Sequence, residues 1–285
     1  MSALGNLIIM LILSVLNGNC AAEAETNCGK LEERLLYRKD IVTEPAEYPW
    51  IGLLFQRKGQ KFRNAGCNVV IVGESHVLTT ASCVQGLNTQ PGSIAVRLGI
   101  WDETHQPGEP YICNDKGFCV PGPVQYLVDA ITVHPLADKD TGINDIAILQ
   151  LSQRINMTTY IQPVCLQPTL EPASWTSMDF HYGGFEEADV RKVKDMAITI
   201  SRQVCTTETA TPPPDNQFCG LPRIRASTYK GAPLMGINVE NDVPRSFYLV
   251  GILVRTKDVG QVFLFFQDIK PLRRWIMDNT HSASS

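Results

Sequence analysis

Short apolar runs recur along the chain, each bounded by turn-forming residues. They cover Trp50 to Phe55, Asn68 to Val72, His76 to Thr80, Ile94 to Leu98, Val124 to Val133, Ile146 to Leu151, Val193 to Ile200, Tyr248 to Val254 and Val262 to Phe266. Their length and their β-branched and aromatic content predict strands, and their rhythm predicts an all-β protein. No fixed repeat underlies them. A helical pattern stands out only at Pro271-Leu272-Arg273-Arg274-Trp275-Ile276-Met277, where Pro occupies the start. Thr211-Pro212-Pro213-Pro214-Asp215 can continue neither a helix nor a central strand and predicts a surface loop. Two packed β-barrels followed by a C-terminal α-helix fit this pattern.

The first apolar run, Leu7 to Leu16, has a different meaning. It is followed by Cys20-Ala21-Ala22 and Ala24, so residues 1–22 read as a signal peptide, cleaved after Ala22 or Ala24. No later segment offers the roughly 20 apolar residues a membrane helix needs, so no membrane insertion is expected. Composition agrees with export. With 285 residues, 44% apolar and 19% charged, the chain suits a folded β-rich protein, and its net charge of −4 leaves no basic surplus for nucleic acid.

Nine cysteines suit an oxidising compartment. Removal of the leader takes Cys20 and leaves Cys28, Cys67, Cys83, Cys113, Cys119, Cys165, Cys205 and Cys219, enough for four disulfides among many pairings. The turn-forming Asn-Asp-Lys-Gly-Phe between Cys113 and Cys119 predicts that this pair closes a small loop. No cysteine spacing of zinc type occurs, and no metal or other cofactor is expected. His76 and His134 read as structural, while His105, His181 and His281 stand in polar or irregular surroundings without a second ligand at metal spacing. Asn156-Met157-Thr158 is a glycosylation sequon in a segment expected to be exposed.

Several motifs together resemble the trypsin-like serine protease family. They are Glu47-Tyr48-Pro49-Trp50, Val77-Leu78-Thr79-Thr80-Ala81-Ser82-Cys83, Val96-Arg97-Leu98-Gly99, Asn144-Asp145-Ile146-Ala147, Pro163-Val164-Cys165-Leu166, Gly231-Ala232-Pro233-Leu234 and Trp275-Ile276. They fall in the family's order over about residues 44–278. The Cys113 to Cys119 insertion and the Val96 to Asp102 run look most like the arthropod clip-domain group, which acts in immune and clotting cascades. Only a few residues separate the leader from Cys28, which leaves no room for the clip module itself.

The resemblance implies two six-stranded antiparallel β-barrels with a C-terminal helix. It divides the chain into an N-terminal segment, 23–43, tethered by Cys28, and a homology domain, 44–280, with barrels at about 44–160 and 161–270. It also implies the disulfides Cys28–Cys165, Cys67–Cys83 and Cys205–Cys219. For the chemistry it implies a loss. Hydrolysis by this family needs a serine nucleophile, a histidine base and an aspartate that orients the histidine. Asp145 matches the aspartate, but Ser82 stands at the histidine and Lys230 at the nucleophile, with Tyr229 and Thr228 at the preceding aspartate and oxyanion glycine. The activation-cleavage motif is absent from Arg34 to Val42, and Ala226 and Val259 stand where the cysteines of the specificity pocket would be.

The expected protein is therefore a secreted, non-catalytic serine protease homologue. Its expected partners are secreted proteases, their zymogens or microbial surface components. The alternatives are an active endopeptidase with an atypical constellation, such as a Ser–Lys pair, or a microbial-surface recognition protein. Loops on a rigid frame carry binding residues, so Trp101, Tyr111 and Phe118 in the Gly99 to Pro123 segment are the candidate partner anchors.

Overall fold

The computed structural model describes residues 28–113, 117, 119–166, 174–224 and 228–280. The leader, Phe118, Ala226 and His281 lie outside the described residues. The first half runs through α1 (Glu33–Leu36), β1 (Ile51–Lys58), β2 (Lys61–Ile71), β3 (His76–Thr79), α2 (Ala81–Val84) and β4 (Ile94–Leu98). A ribbon of β5 (Tyr111–Cys113) and β6 (Cys119–Pro121) follows, then β7 (Val124–Val133) and β8 (Ala147–Leu151). Six of these strands close an antiparallel barrel in the order β1-β2-β3-β8-β7-β4.

The second half contains β9 (Cys165–Leu166), β10 (Asp179–Gly184), β11 (Val193–Ile200), α3 (Arg202–Thr209), β12 (Gln217–Pro222), β13 (Pro233–Glu240), β14 (Val243–Asp258) and β15 (Val262–Asp268). The antiparallel ladder β13-β10-β11-β12-β15-β14 closes on itself through the β13–β14 pairing, which makes a second six-stranded ring. Strand β9 adds to it in parallel beside Tyr248 and Leu249. The chain ends on a 3-10 turn, Lys270–Leu272, and α4 (Arg273–Thr280), whose Ile276 is fully buried. The all-β architecture with a terminal helix thus stands as expected.

Strands β5, β6 and β9 are too short to form an apolar run, and β10, β12 and β13 gave no such signal because glycine or proline interrupts them. In β10 a side chain at Gly184 would lie about 2.9 Å from the Asn68 amide, and in β13 one at Gly236 would strike the Tyr248 ring. The turn between β13 and β14 uses Asn241 and Asp242, both at positive φ, as a two-residue hairpin requires. Helix α3 is a correction to the expectation of a single helical segment. Its sequence, RQVCTTET, carries little apolar periodicity, and it is held instead by the Ser201 side chain accepting from the Val204 N–H and by the Cys205–Cys219 disulfide.

One apolar core spans both barrels. Trp50, at the head of β1, is fully buried and donates its indole N–H to Met235 Sδ of the second barrel. Tyr48, Phe185, Phe247 and Ile252 pack into the same cluster. The N-terminal segment is bound along this seam. Cys28 is bonded to Cys165, Gly29 donates to Pro163 O and accepts from Phe247 N, and Thr43 N donates to Lys192 O. Gly29 has φ of +61°, and a side chain there would meet Phe247 O at 2.0 Å. Next in the chain, Glu47 is ion-paired to Lys194 at 2.6 Å with both side chains almost fully buried.

Candidate functional site

The site forms where α2, the end of the 134–145 loop and the turn before β13 converge. Thr80 caps α2 by accepting the Cys83 N–H, and the Cys67–Cys83 disulfide ties that helix to β2. This places Ser82 against Asp145: the Ser82 backbone N–H donates to Asp145 Oδ1 at 2.7 Å, and Asp145 N–H donates to Gln267 Oε1 at 3.0 Å. Burial raises the Asp145 pKa, and the Ser82 hydrogen bonds and Lys230 charge oppose the rise. Ser82 Oγ lies 3.0 Å from Thr80 Oγ1 and accepts from Lys230 Nζ at 3.3 Å. Ser82, Asp145 and Lys230, named from sequence alone, therefore meet in one place.

The chemistry of this meeting differs from that of a triad. Nothing at position 82 can take a proton near neutral pH, since a hydroxyl is neither basic nor oriented as an imidazole would be. A nucleophilic lysine needs a desolvated setting, and the Lys230 side chain is exposed. In the turn before Lys230, the Thr228 hydroxyl is hydrogen-bonded to the buried Tyr182 hydroxyl, and Tyr229 N–H donates to Phe185 O at 2.8 Å. Burial, together with Glu103, Glu187 and Glu186, raises the Tyr229 pKa.

Asn68 holds this turn, and no sequence motif pointed to it. It is fully buried, its side-chain amide donates to Tyr229 O at 2.9 Å and Phe185 O at 3.3 Å, and its carbonyl accepts Phe185 N–H at 2.9 Å. Its backbone N–H donates to Lys230 O at 2.7 Å. Gly231 packs so closely that a side chain would lie 2.1 Å from Asn68 O, and its φ is +83°. Replacing Asn68 with Ala orphans the buried Phe185 N–H and the Tyr229 carbonyl, while Phe185 O keeps the Tyr229 N–H, so urea unfolding should report a loss of about 3 kcal/mol. An unchanged urea midpoint would show that the turn holds without it.

The other site residues are dispersed. Trp101 is half-buried, donates its indole N–H to Thr43 O at 2.9 Å and accepts from Lys192 N–H at 2.8 Å through its carbonyl. It pins the N-terminal segment to both barrels. Tyr111, by contrast, is 71% exposed, on the ribbon closed by the Cys113–Cys119 disulfide. Asn156 is exposed, with its backbone N–H on Tyr126 Oη at 3.1 Å. Val259 is an exposed residue between β14 and β15. His76 is buried beside Ser75, and the His134 ring packs edge-on against Trp275. His181 is not in irregular surroundings: it lies in β10, with Nδ1 on the Tyr48 hydroxyl at 3.0 Å and its ring against Phe247. Among the described residues, no cluster of three His, Cys, Asp or Glu could hold a metal, and no helix is long and apolar enough to cross a membrane.

With this architecture and site, comparison with known proteins gives a family. The trypsin family matches residues 41–276, and the chain belongs to it. Among its relatives are phenoloxidase-activating factor 3 of Holotrichia diomphalia, 34% identical over 54% of this chain and 43% of that protein, and CLIP domain-containing serine protease B4 of Anopheles gambiae, 22% identical over 83% and 67%. A third, inactive serine protease scarface of Drosophila melanogaster, is 32% identical over 45% of this chain and 17% of that protein. The chain is thus a trypsin-like member related to clip-domain proteases, matching no more than 67% of the length of these three relatives.

Proposed function

We propose that this protein is a secreted, catalytically inactive homologue that binds and regulates trypsin-like proteases or their zymogens in an extracellular cascade of the melanisation type. One observation carries the reading: Ser82 and Lys230 stand at the base and nucleophile positions while both barrels, their shared core and four disulfides are intact. A frame kept after its chemistry has drifted is a frame used for binding. The relatives named as a phenoloxidase-activating factor and as an inactive protease support the same reading. The leader at residues 1–22 directs export, Asn156 accepts a glycan, and the Tyr111 ribbon makes contact with the partner.

The test is capture of a purified trypsin-family zymogen by the immobilised mature protein, beside an unrelated secreted protein as control. Selective retention is expected, with Tyr111→Ala weakening it about tenfold and leaving the thermal midpoint unchanged, as for an aromatic anchor. If neither zymogen nor active protease is retained above the control, the reading fails. If capture is normal with Tyr111→Ala, the contact lies elsewhere on the frame.

A further inference from the structure

The β1–β2 hairpin projects from the first barrel and carries four cations on its outer turn. Strand β4 reaches along β1 only as far as Gln56, and β3 borders β2 only at Val70 and Ile71, so the segment from Arg57 to Arg63 has no strand on either side. Its tip is a two-residue turn, Gly59-Gln60, with Gly59 at φ of +64°, the left-handed conformation that such a turn takes at its first position. Arg57, Lys58, Lys61 and Arg63 are all exposed, and among the described residues none of them has a carboxylate partner. The chain as a whole carries −4, yet between Glu47 and Glu74 it has these four cations and no acidic residue.

Register decides how these cations face. Cross-strand partners share a face, and successive residues alternate between faces. Lys58 is opposite Lys61 and Gln56 opposite Arg63, which brings Lys58, Lys61 and Arg63 to one face. Arg57 and Phe62 form the other, with the guanidinium 4.8 Å from the ring centre. Like charges directly opposite each other destabilise a hairpin, and an anion laid across this face removes the repulsion. What kind of anion follows from what the hairpin lacks. Among the described residues, no large apolar side chain is exposed between Tyr37 and Tyr111. A protein partner is held chiefly by buried aromatic and apolar anchors, and a membrane by inserted apolar side chains, neither of which this face supplies. A polymer held through release of its counterions needs only the cations. Opposed lysines stand about 5 Å apart and Arg63 about 7 Å along the strand from Lys61, so the polymer must carry its charges as densely. A polysaccharide with one or more sulfate esters on each ring does so.

We propose that the outer turn of the β1–β2 hairpin is a binding site for a sulfated polysaccharide, with Lys58, Lys61 and Arg63 each engaging a sulfate of one chain and Arg57, stacked on Phe62, at its edge. The site is independent of the regulatory function proposed above. It holds the protein on a polyanionic surface and leaves its other loops free.

The probe is dextran sulfate, titrated into the full mature protein by calorimetry beside neutral dextran of the same length and poly-L-glutamate of matched charge. Dextran sulfate should bind and neutral dextran should not. Polyglutamate, a more flexible chain that loses more freedom on binding, should bind at least about fivefold more weakly than dextran sulfate. Log K for dextran sulfate should fall with log salt at a slope of about −2 to −3, as for three ionic contacts. Lys58→Gln with Lys61→Gln should weaken binding at least about tenfold at about 0.15 M salt and bring the slope about 1.5 closer to zero, because two contacts are lost. Relief of the lysine repulsion should leave the thermal midpoint of this variant unchanged or higher, and Arg63→Gln alone, with about a threefold loss expected, serves in its place if it does not fold. As a control, Lys39→Gln with Lys139→Gln removes the same charge from exposed positions outside the hairpin and should change affinity less than about twofold. No binding of dextran sulfate, an equal loss in the hairpin and control variants, or polyglutamate bound as tightly as dextran sulfate would overturn the proposal, and the last result would assign the hairpin to an acidic protein segment. Zymogen capture should be the same with and without the hairpin lysines, so its failure in the unaltered protein defeats the regulatory function alone.

Discussion

Incubated with a fluorophosphonate probe, the purified mature protein will take up no label, and it will release no product from amide substrates of trypsin-like proteases. Loss of the serine or the histidine of a serine triad lowers turnover by about a million-fold, and on the reading proposed above both proton acceptor and nucleophile are replaced. What catalysis remains after such losses in an active protease comes from an intact oxyanion site. On the same reading Thr228, bonded through its hydroxyl to Tyr182, stands at the glycine of that site and Tyr229 at the family's aspartate. For that reason the double variant Ser82→His with Lys230→Ser will also stay inert. Restoring the imidazole and hydroxyl leaves the surrounding turn tied to Asn68 and Phe185 as it is now. Stoichiometric labelling of the natural protein would defeat the first expectation. Turnover at the level of trypsin in the double variant would defeat the second and show that the oxyanion geometry had survived.

Much of this site was legible in the sequence because its residues sit inside local motifs. Ser82 is preceded by a strand and followed by Cys83, Asp145 lies in Asn-Asp-Ile-Ala, and Lys230 precedes Gly-Ala-Pro-Leu. Each motif fixes a position on the frame, so three residues far apart in the chain were identified and found in contact. Side chains whose role comes from long-range packing were not legible. Asn68 is one asparagine at the start of an apolar run, and only the approach of Phe185 and Tyr229, more than 100 residues away, makes it the support of the turn. The packing of Trp101 was hidden for the same reason, since its indole donates to the backbone of Thr43, a residue in no motif. Strands β10 and β13 escaped because their glycines answer to neighbouring strands, whereas a periodicity test sees only the strand's own side chains.

Acid will loosen the seam between the N-terminal segment and the second barrel, and His181 will account for much of the effect. Its ring is enclosed by Tyr48, Phe247 and the β10 backbone, and burial, with the nearby Lys194 charge, pushes its pKa down from 6.5 to about 4. The Tyr48 hydroxyl, whose own pKa burial raises well above the usual value, shares a hydrogen bond with Nδ1 of the neutral ring. A protonated ring could still donate to the Tyr48 oxygen, but it would place a charge in a buried, largely apolar setting beside the charge of Lys194. Lys192, also buried, has its pKa lowered to about 7 and donates to Tyr48 O at 3.2 Å, so the same seam already carries cationic strain. The sign follows from linkage. Because the folded pKa lies below the unfolded one, the unfolded chain binds more protons between pH 6.5 and about 4, and stability falls as pH falls through that window. At 1.36 kcal/mol per pH unit the full effect is about 3 kcal/mol, of which about 2.5 kcal/mol is lost by pH 4.5. The variant His181→Phe keeps the ring's packing but orphans the Tyr48 hydroxyl, so at pH 7.5 it should be about 1 to 2 kcal/mol less stable than the natural protein. At pH 4.5 the order should reverse, because the variant has no ring to protonate. Urea midpoints of the two proteins at both pH values measure this directly. A gap between them that is the same at pH 7.5 and 4.5 would mean that His181 titrates alike in the folded and unfolded chains, and that the seam's response to acid comes from other groups.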